Sequence, residues 1–187
     1  MNVLFVTSGN KTGQPGAVVS NQADSLNASN VSVKFFLIMG KGLMGYLTYG
    51  IKLKRFIKEN HVDIIHAHYT LSGWSAFIGS GKVPIILSLM GSDTYGEYKA
   101  PNKVQLNSKI NTLLTYLIQP FVRRIISKSA NIENYVWLKR KSEIIPNGVS
   151  LQNFNVTKKD YRGELGLMKD KLHILFLGDK NNDVHRP

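Results

Sequence analysis

Short apolar runs alternate with longer amphipathic ones along this 187-residue chain, and that alternation constrains the fold more than any single motif. Residues 3–6 read as a buried strand, and residues 17–28 carry Val18, Val19, Ala23 and Leu26 at helical spacing, with Asn30 as a stop. Residues 31–38 read as a second strand, and residues 46–60 as a helix with Leu47, Ile51, Phe56 and Ile57 near one face. A third strand at 62–66, a short helix at 73–79 and a fourth strand at 84–89 follow. Strands separated by helices need right-handed crossovers. The expected fold is therefore α/β: a Rossmann-like, doubly wound, mostly parallel sheet with helices on both faces.

The second half is less regular. Residues 103–122 read as a long helix carrying Ile110, Leu113, Leu114, Leu117, Ile118 and Phe121, which Pro120 should end or kink. A strand at 124–127, a helix at 131–141 and a short strand at 144–145 come next, closed by Pro146-Asn147-Gly148. Residues 155–171 are charged and loop-like, and 173–178 form a fresh apolar run. Only nine residues follow that run, too few for a crossover helix and a partner strand. It is either the last strand of the first sheet or, the preferred reading, the first strand of a truncated domain. The expected division is residues 1–165 and 166–187.

The chain has no cysteine, which excludes disulfides, thiolate metal sites and cysteine nucleophiles and suits a reducing compartment. The longest apolar run, residues 35–39, falls far short of the roughly 20 residues that span a bilayer. The expectation is a cytoplasmic protein, at most peripheral at the inner face of a membrane. Net charge is +12, and residues 99–141 hold nine of the basic residues against one acid, Glu133. Tyr116, Phe121, Tyr135 and Trp137 lie among those charges. Such a stretch suits anionic lipid or phosphorylated substrates, or is simply a solvated basic surface. No nucleic-acid motif accompanies it, so no nucleic-acid partner is expected.

In an open parallel sheet, ligands bind beyond the carboxyl ends of the strands. The loop after the first strand, Ser8 to Gly16, contains Gly13 and Gly16 and leads into a helix start, where backbone N–H groups suit a phosphate. It carries neither the dinucleotide fingerprint nor a P-loop, and a plain turn is the alternative. His66 and His68, two apart after the third strand, point the same way and form half a metal site, a polar pocket wall or a core pair. Asp93, in Met90-Gly91-Ser92-Asp93, could cap the next segment, accept from a sugar hydroxyl or take a proton. Asn147-Gly148 favours a turn.

Taken in order, these pieces resemble the N-terminal, acceptor-side half of the family 4 glycosyltransferases of two-domain GT-B architecture. The matching pieces are Gly13 and Gly16; Asp63-Ile64-Ile65-His66-Ala67-His68; Ser88-Leu89-Met90-Gly91-Ser92-Asp93; residues 127–134; Ile145-Pro146-Asn147-Gly148-Val149, then Phe154; and Ile174-Leu175-Phe176-Leu177-Gly178. The resemblance implies a retaining transfer of a sugar from a nucleotide-sugar donor to a hydroxyl acceptor, without metal or other cofactor. The implied setting is assembly of a bacterial polysaccharide or glycolipid. It implies donor-phosphate contacts at Gly13 and Gly16, and acceptor contacts at Asn10, Tyr69, Ser72 and Ser92. Catalytic assistance falls to Asp93 and His68, and an interdomain hinge to Asn147 and Gly148. Met90 stands where many relatives have histidine, so an imidazole base is lost there. The family's paired glutamates belong to its C-terminal domain, so this chain alone is expected to be inactive. The alternative is a non-catalytic module that binds sugar or nucleotide phosphate.

Overall fold

In the computed structural model, which describes residues 1–9, 12–40, 42–96, 98–100, 103–148, 160–168 and 170–173, the first apolar run becomes β1 (Asn2–Ser8). Leu4 and Val6 turn to one face of it and Val3 and Phe5 to the other, all of them buried. A strand covered on both sides has no polar face, which is why its sequence is a continuous apolar run. α1 (Ala17–Ala28), β2 (Ser32–Ile38), α2 (Gly42–Glu59), β3 (Ile64–His68), α3 (Thr70–Gly79) and β4 (Ile85–Ser88) follow. Asn30 takes a left-handed φ of 61° directly after α1, as a helix stop requires.

β5 (Tyr98–Ala100) and β6 (Lys103–Val104) pair antiparallel outside the main sheet, before α4 (Leu106–Ile118), β7 (Arg124–Ser127), α5 (Ala130–Glu133) and β8 (Ser142–Ile144). The main sheet has the order β2-β1-β3-β4-β7-β8, and every pairing in it is parallel. One core joins Leu4, Val6, Ile65, Ala67 and Leu87 to Tyr46 and Leu53 of α2 and Ala76 of α3. A smaller one packs Val3 and Phe5 against Val19 and Ala23 of α1. The helices α2 and α3 approach closely: a Cβ on Gly79 would meet the Gly50 carbonyl oxygen at 2.6 Å. That approach lets Ser75 Oγ donate to the Tyr46 carbonyl at 2.7 Å.

Several boundaries differ from those expected, while Pro120 ends the long helix as expected. The long helix begins at Leu106, not at residue 103, because Lys103 and Val104 pair with the segment before them. It ends at Ile118, and Gln119–Phe121 continue as a 3-10 turn around Pro120, which lacks the N–H for another α-helical bond. The helix expected at 131–141 is one turn, Ala130–Glu133, plus a 3-10 turn at Lys139–Lys141. Between them Gln119 takes over the backbone groups: its Oε1 accepts from the N–H groups of Trp137 and Leu138, and its Nε2 donates to the Tyr135 carbonyl.

The chain divides into two units, Met1–Val149 and Ser150–Pro187. In the second, the Leu165 N–H donates to the Tyr161 carbonyl, and Arg162 pairs with Asp160 at 2.9 Å. The strand expected at 174–178 lies outside the described residues, as do Val149 and Phe154.

Candidate functional site

From β1 the chain passes to β2 on one side and later to β3 on the other, so the winding reverses between β1 and β3. Crossover helices diverge at such a point and leave a crevice beyond the strand carboxyl ends. An opening of about 500 Å³ lies there. Its walls are Thr7 and Ser8 of β1, Gly16 and Val19 of α1, Gly42 and Tyr46 of α2, His68, Tyr69 and Leu71 at the β3–α3 junction, and Met90 and Ser92 after β4.

The α1 side is a bare helix start. Gly16 is its N-cap, without a side-chain capping bond, and the space a Cβ would occupy there is open. Gly13, at φ 70°, turns the preceding loop by donating to the Gly9 carbonyl at 2.8 Å. The helix dipole and unbonded N–H groups make this wall favourable to an anion.

On the β3 side His68 lines the opening, with His66 stacked behind it. Their rings stack with centroids 4.3 Å apart, over Phe5 at 5.0 and 4.7 Å. His66 Nε2 shares a 2.8 Å hydrogen bond with Ser88 Oγ. His68 Nε2 and Ser72 Oγ are buried with no hydrogen-bond partner among the described residues. Burial, then the charge of the half-buried Lys128, pushes the His66 imidazole down to about 3. Burial, the neighbouring His66 and Lys128 push His68 down to about 2. Both rings are therefore neutral at neutral pH.

Asp93 sits behind the wall, completely buried. Its Oδ1 accepts from the N–H groups of Met90 and Gly91, both at 2.9 Å. Its Oδ2 accepts from the Thr70 N–H at 2.9 Å and the Thr70 hydroxyl at 3.2 Å. Thr115 of α4 completes the knot by donating to the Asp93 carbonyl at 2.6 Å. Burial pushes the carboxyl up against the pull of these donors. The carboxylate ties the loop after β4 to the first turn of α3, and its bonds go to the chain, not to the opening. Gly91 needs its glycine: φ is 106°, and a Cβ would collide with the Tyr95 hydroxyl.

Tyr69, the residue before α3, has φ 81°, a strained conformation for a tyrosine, and its Oη accepts from Asn111 Nδ2 at 2.9 Å. The strain faces the opening, where backbone outliers concentrate in functional sites. Of the residues expected to act, the structure brings Gly16, His68, Tyr69 and Ser92 to one opening and keeps Ser72 and Asp93 behind its wall. Asn147 and Gly148 are exposed beyond β8, at the sheet edge away from the opening. Asn10 lies outside the described residues. The residues not expected from the sequence are Thr70, Asn111 and Thr115. Isolated threonines and asparagines carry no spacing signal, and they matter only because α4 packs beside α3.

The model of the glycosyl transferase 4-like family matches residues 17–129, which include α1, the β3 wall and the Asp93 knot. The chain belongs to this family. Solved structures agree on the fold of this glycosyltransferase domain. Sucrose-phosphate synthase from Thermosynechococcus elongatus aligns with TM-score 0.69 and 15% identity over 91% of this chain and 53% of its own. The apo lipopolysaccharide outer core galactosyltransferase WaaB aligns with TM-score 0.56 and 13% identity, over 80% and 46% respectively. MurG from Acinetobacter baumannii aligns with TM-score 0.50 and 9% identity, over 84% and 50%. The glycosyltransferase domain thus has the GT-B Rossmann-like fold and spans about half the length of these relatives. No curated protein sequence matches it. No helix among the described residues is long and apolar enough to cross a membrane.

Proposed function

We propose that the opening between β1 and β3 is one half of a sugar-transfer site, in which a nucleotide-sugar donor meets a hydroxyl acceptor. The observation that carries this reading is the opening at the β1–β3 reversal, with the uncapped helix start at Gly16 on one side and His68, Tyr69 and Ser92 on the other. The first suits the donor diphosphate and the second an acceptor hydroxyl. As the donor bond breaks, negative charge grows on the departing diphosphate, and fixed backbone N–H groups stabilise it without reorganising. His68, Tyr69 and Ser92 orient the acceptor; orientation supplies much of the rate in such a two-substrate reaction.

A histidine held near 2 is a poor general base at neutral pH. In this reading the acceptor proton passes to the departing donor phosphate, and retention of the anomeric configuration is what the family resemblance implies. Met90, on the same wall, cannot take that proton. Asp93 shapes the wall from behind. Asn147 and Gly148, beyond β8, act as a hinge. No metal or other cofactor takes part in this reading.

Gly16→Asp tests the phosphate half. Aspartate is a good N-cap, so the variant should be at least as stable as the parent. Its carboxylate would occupy the anion position and should weaken uridine or guanosine diphosphate binding, read by calorimetry, at least tenfold. Unchanged nucleotide binding in a folded Gly16→Asp protein would remove the phosphate from this wall.

A further inference from the structure

α4 carries apolar side chains on its outward side as well as its inward one. Its inward side is mixed: Ile118 joins the core and Leu114 packs against it, while Ser108 and Thr115 are also buried, and Gln119 is buried just past its end. Thr112 Oγ1 donates to the Thr94 carbonyl at 2.6 Å, and Thr115 to Asp93. On its outward side Leu106 is 74%, Ile110 48%, Leu113 57% and Leu117 51% exposed, and Phe121 is 50% exposed beyond its end. These positions recur at intervals of four, three, four and four, which places them in one stripe along the flank of the domain. At its lower end the Phe121 ring lies 4.5 Å from that of Phe77, itself partly exposed. Contiguous apolar surface of this kind marks an interaction site.

Cations flank the stripe. Lys109 lies on the exposed side of α4, and a groove of about 370 Å³ beside Phe121 is lined by Lys82, Arg123 and Lys141 together with Phe77 and Pro120. Lys141 Nζ is held by the carbonyls of Pro120 and Val122, both at 2.8 Å. Among the described residues no carboxylate pairs with Lys82, Lys109 or Arg123. The nearby acid Glu133 is occupied by Lys139, Ser127 and Ser142.

We propose that this flank, the outward stripe of α4 with Phe77 and Phe121, docks on an anionic lipid bilayer. The apolar side chains enter the headgroup–acyl boundary and Lys82, Lys109 and Arg123 stay among the lipid phosphates. Charge decides the occupant. A second copy of the chain would bring cations against cations, and a nucleic acid would leave the stripe in water. An amphipathic surface with basic edges matches an anionic membrane in both respects. This surface is separate from the sugar-transfer opening, so the two readings fail independently.

The test is flotation of the whole chain with vesicles of phosphatidylcholine doped with phosphatidylglycerol, against pure phosphatidylcholine, at low and high salt. The parent should bind the anionic vesicles, at least tenfold more weakly at high salt. Leu113→Glu with Leu117→Glu, both at exposed positions, should cut binding at least tenfold at every salt concentration. Lys109→Glu with Arg123→Glu should reduce binding to the level seen with neutral vesicles. Both double variants should keep the parent's melting temperature and nucleotide affinity. The proposal is overturned if the parent fails to float at low salt, or if the double-leucine variant floats as well as the parent. It is also overturned if, without any flotation, the parent sediments as a dimer that the leucine variant converts to monomer.

Discussion

Asp93→Ala is expected to destabilise the domain by about 4 kcal/mol and to lower Tm by about 10 °C. The substitution removes the one acceptor shared by the N–H groups of Thr70, Met90 and Gly91 and by the Thr70 hydroxyl, in a fully buried place. Each orphaned buried donor costs about 1–3 kcal/mol, partly offset as water enters or the loop relaxes. Asp93→Asn keeps one acceptor oxygen but turns an amide NH2 toward backbone donors, so it should recover less than half of the loss. Thermal and urea unfolding of the three proteins measures this directly. A loss below about 1 kcal/mol in Asp93→Ala would mean that the carboxylate does not hold Met90–Ser92 against α3. The substitution also loosens the wall that carries Met90 and Ser92, so nucleotide and acceptor binding should weaken along with stability.

The histidine pair makes stability strongly pH-dependent. Both imidazoles are held at about 3 and about 2 in the folded domain, below their ordinary 6.5. The unfolded chain therefore takes up protons that the folded one refuses. Stability is full above pH 6.5 and falls as the pH drops from there toward 3, by up to about 1.4 kcal/mol per pH unit for each ring. By pH 5 the two together should cost about 4 kcal/mol. Urea midpoints across this range check the slope. His66→Gln, which retains a partner for Ser88, should remove about half of it. A midpoint that stays flat from pH 7.5 down to 5 would mean that the rings are not buried neutral.

The sheet was readable because its central strands are covered on both faces, so β1 and β4 show as unbroken apolar runs. β3 lies two residues later than its sequence suggests: its strand continues through His66, Ala67 and His68, and a buried histidine stack does not look like strand core. α3 hid its start for a related reason. Thr70 reads as a loop residue until Asp93, from another loop, caps it. The spacing of α4 was legible, but periodicity gives a stripe without saying which way it faces. Thr112, Thr115 and Gln119, bonded to carbonyls of neighbouring segments, share its inward side with Leu114 and Ile118 and leave the remaining apolar side chains facing out. The site followed the same rule. Gly16 and His68 were visible because the topology sends loops after β1 and β3 to one crevice. The function of Asp93 depends on donors from three other residues, which no local pattern reveals.

The most direct test is a two-dimensional amide NMR titration of the chain with uridine and guanosine diphosphates and their sugar conjugates. If the opening at the β1–β3 reversal receives the donor, the shifted amides will cluster at Thr7, Gly13 to Val19, Tyr69 and Met90 to Ser92, and Gly16→Asp will abolish the pattern. Shifts confined to Lys82, Arg123 and Lys141, or the same pattern in Gly16→Asp, would contradict it.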